Sequence, residues 1–509
     1  MSVAALIVRI ASAVVVAQPG YTDAYYYSAV ASRLAHGDGL TADFIWNFLE
    51  APSFAHLPVA SHRFWVPLAT TLQAGGITLL GGLLGEFRAA QAAVIAVAAF
   101  LPAATYAAAR SLDVSSRYAL AAAAAVGLGG IFAPGLVATD AFAPAALIGT
   151  LFFIAFAQAA RGSVVGGALA GLLVGILYLA RSEGALFGVP LVALAIRRET
   201  RFAGAIGSLA ALVIGGAWFA RDLSLGTGDL LFRTVLLVRY EDFFAVGGST
   251  GLGGVIGPTD RLSAFLSAWP AVLAAKVSAL ATNLITAVFA FVVLIGPLTA
   301  AAAWWLRARP HVRAWAQLLV FVFLVESLVF TLHSTRGSYF HSLAAFFPFG
   351  IALAAAGAER LAFTRGQGVL AAWIAGALVL TAAMSIGAIV QWDATFNAAA
   401  GLRAAALDAI PAGPFMAIDA AAWRSLSGRP VIVTPAEPAS SVVRNSVVCE
   451  IAHRYGARAL VLEAAHFSGY DSIYNDDVRP SWLGPPTVRD TIKVFPIYAD
   501  NGCPSEIIR

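Results

Sequence analysis

The sequence predicts an all-α polytopic membrane protein of about eleven transmembrane helices, with juxtamembrane helices and a small C-terminal α/β soluble domain. Three observations predict it. Of the 509 residues, 60% are hydrophobic and only 12% charged, about half the charged share of a soluble protein, and mean hydropathy is +0.80. Apolar runs of spanning length recur as far as residue 391. Beyond that point Pro, Asp, Asn and Arg become frequent, so residues 1–391 and 392–509 read as two domains.

The basic residues are almost all arginines; the lysines are Lys276 and Lys493. The net charge of +4 therefore reflects Arg clusters at helix ends and is no nucleic-acid signature. Residues 2–19 are apolar but carry Arg9 mid-segment with no basic region ahead of it, which reads as a first transmembrane helix rather than a cleavable signal peptide. Further runs lie near residues 89–109, 117–135, 142–160, 164–180, 184–196, 202–220, 272–306, 314–332, 340–358 and 369–391.

Residues 65–85 are also apolar, and charge decides their place. The basic loops are Arg110 with Arg117, Arg161, Arg197 to Arg201, Arg307 to Arg313, and Arg360 with Arg365. With 65–85 lying in the interface, a cytoplasmic N-terminus puts all five loops inside, as the positive-inside rule requires. Pro67, Thr70, Thr71, Gln73 and five glycines also make that segment a poor span. The C-terminal domain is then extracytoplasmic, on the outer face of an inner (plasma) membrane.

In the C-terminal part, residues 414–419, 429–435 and 457–463 read as short buried strands, and 442–456 as a helix stopped by Gly456. No catalytic motif is visible there. Cys449 and Cys503 are free thiols or one disulfide, the latter favoured outside the cytoplasm.

Five constellations on the outer side carry candidate chemistry. Asp23 opens an amphipathic helix whose Tyr25, Tyr26 and Tyr27 sit at the membrane interface; it is a helix cap, a general base or a metal ligand. Asp140 precedes another helix and is a cap or, paired with Asp23, shares a Mg or Mn ion or one sugar acceptor. His56 and His62 lie just before the 65–85 helix as phosphate or metal contacts or as interfacial residues. Arg181 and Glu183 end a span as a local ion pair or a cavity mouth. The turn at 332–342 holds Arg336 and Tyr339 with His333 and His341, and an Arg fork there matches phosphate oxygens or anchors the interface. Residues 230–244 read as a surface helix. The glycines of 246–258 lack the preceding strand and following Lys of a phosphate loop, leaving a lid or a connector.

The order and sidedness of these motifs resemble the GT-C superfamily of membrane glycosyltransferases, nearest the branch of protein O-mannosyltransferases and the aminoarabinose transferase of lipid A. The resemblance covers residues 1–390. It rests on Asp23, the Ala-His-Gly-Asp-Gly helix end, the Pro58 to Gly85 segment, the Asp140 motif, and the Arg181 and Arg336 turns. It implies transfer of a sugar, with inversion, from a polyprenyl-phosphate donor to a hydroxyl of a lipid, polysaccharide or protein acceptor. Asp23 is then the base or a metal ligand, Asp140 its helper at the metal, and Arg336 with Arg181 the phosphate contact. The chain departs from those relatives where Ala24 follows Asp23, in place of a second acid, and where Leu57 precedes Pro58, in place of Lys. The competing readings are a transporter or flippase of a lipid-linked sugar or small solute, and a GT-C-like scaffold without activity. The ionisable residues gather at the outer surface and no repeat relates the halves, which disfavours a transporter.

Overall fold

The computed structural model describes residues 2–47, 56–225, 261–365, 367–435, 447–498 and 503. The segments read as a surface helix at 230–244 and a Gly-rich stretch at 246–258 lie outside them, as do residues 442–446 of the expected C-terminal helix.

The first half contains α1 (Ser2–Val15), α2 (Thr22–Ala35), α3 (Leu68–Leu84), α4 (Glu86–Ala98), α5 (Leu101–Ser111), α6 (Ser116–Leu128), α7 (Phe142–Ala159), α8 (Val164–Ala180), α9 (Val189–Ala195) and α10 (Arg201–Ser224). The second contains α11 (Arg261–Ala290), α12 (Gly296–Trp305), α13 (Pro310–Leu328), the kinked α14 (Thr331–Leu343), α15 (Phe347–Arg365), α16 (Gln367–Trp392) and α17 (Ala398–Ala406). Among the described residues, six helices are long and apolar enough to span a membrane, and α14 with α15, bent by 60°, makes a possible seventh. Five shorter apolar helices accompany them, so the expected eleven are not reproduced as eleven full-length spans. Backbone breaks explain the difference. The 272–306 run is interrupted between Phe291 and Ile295, where Val292 takes φ +58°, and 184–196 is a 3-10 turn followed by the seven-residue α9.

Small residues let the helices meet. A Cβ on Gly171 of α8 would lie 1.9 Å from the carbonyl oxygen of Gly207 on α10, and one on Gly167 would lie 2.1 Å from that of Ala203. Such small-residue faces replace the hydrophobic drive that lipid removes.

The bundle has two chemically distinct ends. At one, Arg309 pairs with Asp113 at 2.7 Å, Glu359 accepts from the Ser115 amide at 3.0 Å, Gly162 approaches Glu199, and Arg161 lies in electrostatic reach of His311. The basic loops thus cluster there. At the other end sit Asp23, Asp140 and Arg181. Both ends of α3 belong to this second end: Gln73 donates to the Thr139 carbonyl at 3.0 Å, and Glu86, just past the α3 terminus, faces His36 at the end of α2 at 3.6 Å. The helix therefore lies across the end of the bundle instead of running through it.

The C-terminal domain is a five-stranded sheet in the order β4-β3-β5-β7-β6. A small hairpin, β1 (Thr41–Ala42) and β2 (Val59–Ala60), precedes β3 (Phe415–Ala417), β4 (Val431–Val433), β5 (Ala459–Leu462), β6 (Thr487–Arg489) and β7 (Ile492–Pro496). β3, β4 and β5 match the three expected strands and run parallel; the antiparallel β6 and β7 were not expected. The helices α18 (Ala420–Ser427) and α19 (Val447–Arg454) pack on the sheet, and Cys449 is disulfide-bonded to Cys503. The connection at residue 391 is helical: α16 continues through a π-helical turn, Asp393–Asn397, into α17.

Tyr25, Tyr26 and Tyr27 do not lie at a membrane interface, contrary to the sequence reading. All three are at most 1% exposed, within the core of the C-terminal domain. The first long loop joins them there. Ile45 exchanges backbone hydrogen bonds with Val431 and Val433 at 2.9 and 2.8 Å, and the Nε and Nη2 of Arg424 hold the two oxygens of Asp43 at 2.9 and 2.8 Å. α2 and residues 43–46 thus form the floor of the soluble domain.

Gly171→Leu should force α8 and α10 apart, lowering stability by about 1–3 kcal/mol or more. Gly216→Leu, where a side chain meets open space, should be near neutral. Thermal unfolding in detergent distinguishes them; equal midpoints for the two variants would refute the close helix contact.

Candidate functional site

Three separated segments converge on Asp140, which is fully buried in the loop before α7. Its Oδ1 accepts from the Ala141 amide, and its Oδ2 accepts from the Tyr21 hydroxyl and faces His341 Nε2 at 3.0 Å. Burial alone would raise this carboxyl, but His341, the Tyr21 hydroxyl and the Ala141 amide outweigh it and hold the group below its ordinary value. Asp140 is not a helix cap through its side chain: Ala141 occupies that position.

His341 is fixed by the kink in α14. Gly337 takes φ +118°, a region open to glycine, and its carbonyl lies 2.8 Å from His341 Nδ1. A carbonyl only accepts, so Nδ1 carries hydrogen. Nε2 then donates to Asp140 when the ring is doubly protonated, and otherwise turns its lone pair toward that carboxylate. Phe142 stacks on the ring at 4.2 Å, and Tyr21 meets it edge-on at 5.7 Å.

Asp23 occupies the first turn of α2, one position inside Thr22, and makes no capping hydrogen bond. Among the described residues it has no hydrogen-bond or ion-pair partner. Burial raises its carboxyl to about 6, with Asp140 and Asp419 adding to the rise and His341 and Arg181 opposing it. An unpartnered acid beside a fully satisfied one is suited to take a proton or to join Asp140 in holding a hard cation.

Arg181 caps α8 in an extended conformation and donates to Glu183 Oε1 at 2.9 Å, while its buried Nε has no acceptor among the described residues. Both line a narrow cleft together with His341 and Ser342; Leu177, Phe187, Val322 and Phe346 form its apolar part. Its lining thus joins the Arg181–Glu183 ion pair to an apolar wall.

The remaining expected residues are not brought to this cluster. His56 is exposed and without a side-chain partner among the described residues. His62 is buried against Tyr26 and Tyr27, and desolvation, with Arg221 nearby, lowers it to about 3, so it is neutral. Arg336 is exposed at the kink and also lacks a partner among the described residues. Tyr339 is buried against Phe323 of α13. Sequence reasoning placed His341 in the right turn without a role and passed over Tyr21 and Glu326. The lone acid of Glu326 in an apolar span was a usable signal; Tyr21 offered none.

The soluble domain closes the site from above. Asp419 follows β3 and Glu463 follows β5, at the carboxyl ends of the parallel strands. Arg403 of α17 binds both, at 3.3 and 3.1 Å. Asp419 lies in electrostatic reach of Asp23.

No protein-family model matches the chain, and no curated protein matches it by sequence. Solved structures match by fold. ArnT from Cupriavidus metallidurans bound to undecaprenyl phosphate aligns with a TM-score of 0.58 at 14% identity, over 97% of each chain. AglB, the oligosaccharyltransferase of Archaeoglobus fulgidus, in complex with an inhibitory peptide and a dolichol-phosphate, gives 0.53 at 11% identity, over 96% of this chain and 74% of that one. The same organism's oligosaccharyltransferase with Zn and sulfate gives 0.54 at 13% identity, over 95% and 71%. At such identities the likeness shows the fold alone: the chain has a GT-C-like fold, which ArnT shares almost end to end.

Asp23 should titrate with a midpoint near 6, neutral below it and ionised above. Asp140→Asn, by removing a neighbouring negative charge, should move that midpoint down. Infrared titration of the wild-type chain against Asp23→Asn reads it; an ordinary carboxylate midpoint in the wild-type protein would contradict the buried placement.

Proposed function

We propose that the chain is a membrane glycosyltransferase that moves a sugar from a polyprenyl-phosphate donor to an acceptor hydroxyl, with inversion, on the outer face of an inner (plasma) membrane. The observation that carries this reading is the unpartnered Asp23 carboxylate beside the Asp140–His341 pair, next to a cleft polar at Arg181 and apolar beyond. The likeness to proteins solved with undecaprenyl phosphate and dolichol-phosphate supports the same class of donor. Basic loops at one end and the acids at the other support a site outside and an N-terminus inside. With α3 lying across the bundle end, the remaining apolar segments number eleven if each short helix and the bent pair count as crossings.

In this reading the sugar lies between Asp23 and Arg181. Asp23 takes the proton of the acceptor hydroxyl as its oxygen attacks the anomeric carbon. Its raised proton affinity makes it a better base than an exposed carboxylate while leaving it ionised near neutrality. Arg181 holds the phosphate through the edge that Glu183 does not occupy, and stabilises charge that grows there as the bond breaks. The apolar lining takes the first isoprenoid units. Attack from the face opposite the phosphate inverts the carbon. Asp23 and Asp140 are the residues that would hold a divalent ion, Mg or Mn by their hard oxygen donors. Such an ion, when bound, would offset the charge of the departing phosphate; the related structure with Zn and sulfate makes the test worthwhile. The acceptor, lipid, polysaccharide or protein, approaches from the soluble domain. Arg336, exposed at the kink, is placed to meet lipid headgroups rather than the bound donor.

Transfer from synthetic polyprenyl-phosphate sugars in nanodiscs tests the assignment. Asp23→Asn should lower kcat by about 100-fold or more with donor KM little changed, and Arg181→Gln should chiefly weaken undecaprenyl-phosphate binding. Full turnover in the Asp23 variant would remove the base, and unchanged binding in the Arg181 variant would remove the phosphate contact. Chelation followed by Mg or Mn addition reads the metal requirement.

A further inference from the structure

α19 sets Cys449 and His453 one turn apart, at the i and i+4 positions that share a helix face. Cys503, which lies beyond β7 in the chain, reaches the same place and is bonded to Cys449. Cys449 is fully buried in the core of the sheet domain, and His453 and Cys503 are half-buried beside it. One donor atom from each residue, two sulfurs and a ring nitrogen, lies within 4.8 Å of the other two. His453 Nε2 is shielded from solvent and has no hydrogen-bond partner among the described residues. A polar atom left so is costly, and the disulfide beside it offers only weak acceptors.

Two thiolates and an imidazole are donors that zinc takes, with sulfur at about 2.3 Å and nitrogen at about 2.0–2.1 Å. In a tetrahedral site such donors stand roughly 3.6–3.8 Å apart. The ring must then approach a little and the sulfurs part, which rotation about the side-chain bonds provides. A Cys and a His one helical turn apart, joined by a ligand from a distant segment, is a common way to assemble such a site. Among the described residues no fourth Cys, His, Asp or Glu joins the group, so the fourth position falls to water. The sulfurs of a disulfide carry no charge, and the thiolate is the form that binds metal. The covalent bond and the metal therefore exclude each other.

We propose that Cys449, His453 and Cys503 are a redox-gated zinc site on the soluble domain, a disulfide when oxidised and a three-ligand site for Zn when reduced. The inference does not rest on the transferase reading. In the step, a dithiol reductant supplies two electrons and two protons. The bond between Cys449 and Cys503 opens to two thiols, and the reductant becomes a cyclic disulfide. Zn then displaces both thiol protons to solvent and takes the lone pair of a neutral His453 nitrogen. Reoxidation by a disulfide reverses both steps and releases the ion. Either state ties Cys503 to α19, whose Val448, Ile451 and Ala452 belong to the core of the sheet domain. The metal thus replaces the tie that reduction removes.

Cobalt binding tests the site, because Co substitutes for Zn and its charge-transfer absorption reports thiolate ligands. The full chain is held in nanodiscs of cysteine-free scaffold and reduced with a trialkylphosphine, which leaves as its oxide with oxygen from water. The chain has two cysteines, so a cobalt–thiolate band arises only here, and an ion at Asp23 and Asp140 contributes none. Reduced wild-type protein should bind one Co with this band, lose it on addition of Zn, and show none when oxidised. Cys449→Ser and Cys503→Ser should each weaken the band. His453→Ala should raise the Kd for Co about tenfold or more, the least that loss of even an outer-shell partner costs. Reduced wild-type protein without the band would overturn the site, and a His453→Ala Kd equal to that of wild type would overturn the three-ligand assignment. If reduction loosens the sheet domain, Zn should restore the melting midpoint of the reduced wild-type chain and not that of His453→Ala; no restoration in the wild type, or equal restoration in both, would overturn the proposal as well.

Discussion

A carboxylate with no access to water must find its hydrogen bonds within the protein, and Asp140 finds them in three places far apart in the chain: Tyr21, its own loop and His341. That demand fixes where α2 begins, how the loop before α7 turns, and where α14 must kink. Each segment has a local device for meeting it. Gly20 takes φ +107° and lets the Trp392 ring lie where a Cβ would intrude at 2.4 Å, which sets Tyr21. Gly337 at φ +118° frees its carbonyl to hold the His341 ring. Neither glycine touches Asp140, yet a side chain at either would disturb the placement of a group that does.

Satisfying Asp140 leaves Asp23 as the reactive partner. Two neighbouring acids, Asp140 fully buried and Asp23 half-buried, divide shared surroundings unequally, and the one with the hydrogen bonds stays ionised. Asp23 receives none, so burial and its neighbour's charge push it toward the range where a carboxyl exchanges protons near neutrality. Deeper in the bundle Arg181 pairs with Glu183, and Ser338 and Ser342 lie between Glu183 and Glu326.

How much of this the sequence revealed follows from what each feature depends on. Hydropathy and charge are local, so the helical class, the clustering of the basic loops and the lateral course of α3 were legible. Buried strands of three or four apolar residues were legible too, and β3, β4 and β5 fall inside the expected segments. The edge strand β6 was not, because Thr487 to Arg489 is exposed and carries no apolar pattern, and β7 was passed over although Ile492, Val494 and Phe495 are buried. Asp23, Asp140, Arg181 and Glu183 were found because an acid or arginine at the end of an apolar run is conspicuous. Their partners were not. Tyr21 looks like one more interfacial aromatic. Arg336 and Tyr339 share the turn with His341, and only the Gly337 kink separates a ring turned toward Asp140 from a guanidinium turned to the surface. The tyrosines of α2 were misjudged for a related reason: an amphipathic aromatic face has the same pattern whether lipid or a protein domain covers it.

That last case bears on how the two domains work as one. The hydrophobic core of the sheet domain does not stop at residue 392; it includes Tyr25, Tyr26, Tyr27 and Val30, so α2 is buried on one side by the sheet and on the other by the bundle. Asp43 with Arg424 and the Ile45 backbone add directional contacts to this apolar area. On the bundle side, Gln18 bonds to Asn397, which in turn holds the Val15 carbonyl, tying the entry to α2 to the junction of α16 and α17. A sheet domain hung on a single flexible linker could move without consequence for Asp23. One that shares its core with α2 cannot, because any rotation of the sheet must carry α2 along or expose three buried tyrosines. The position of the unpartnered carboxylate is in this way set jointly by both domains, and the strand ends carrying Asp419 and Glu463 stay beside it.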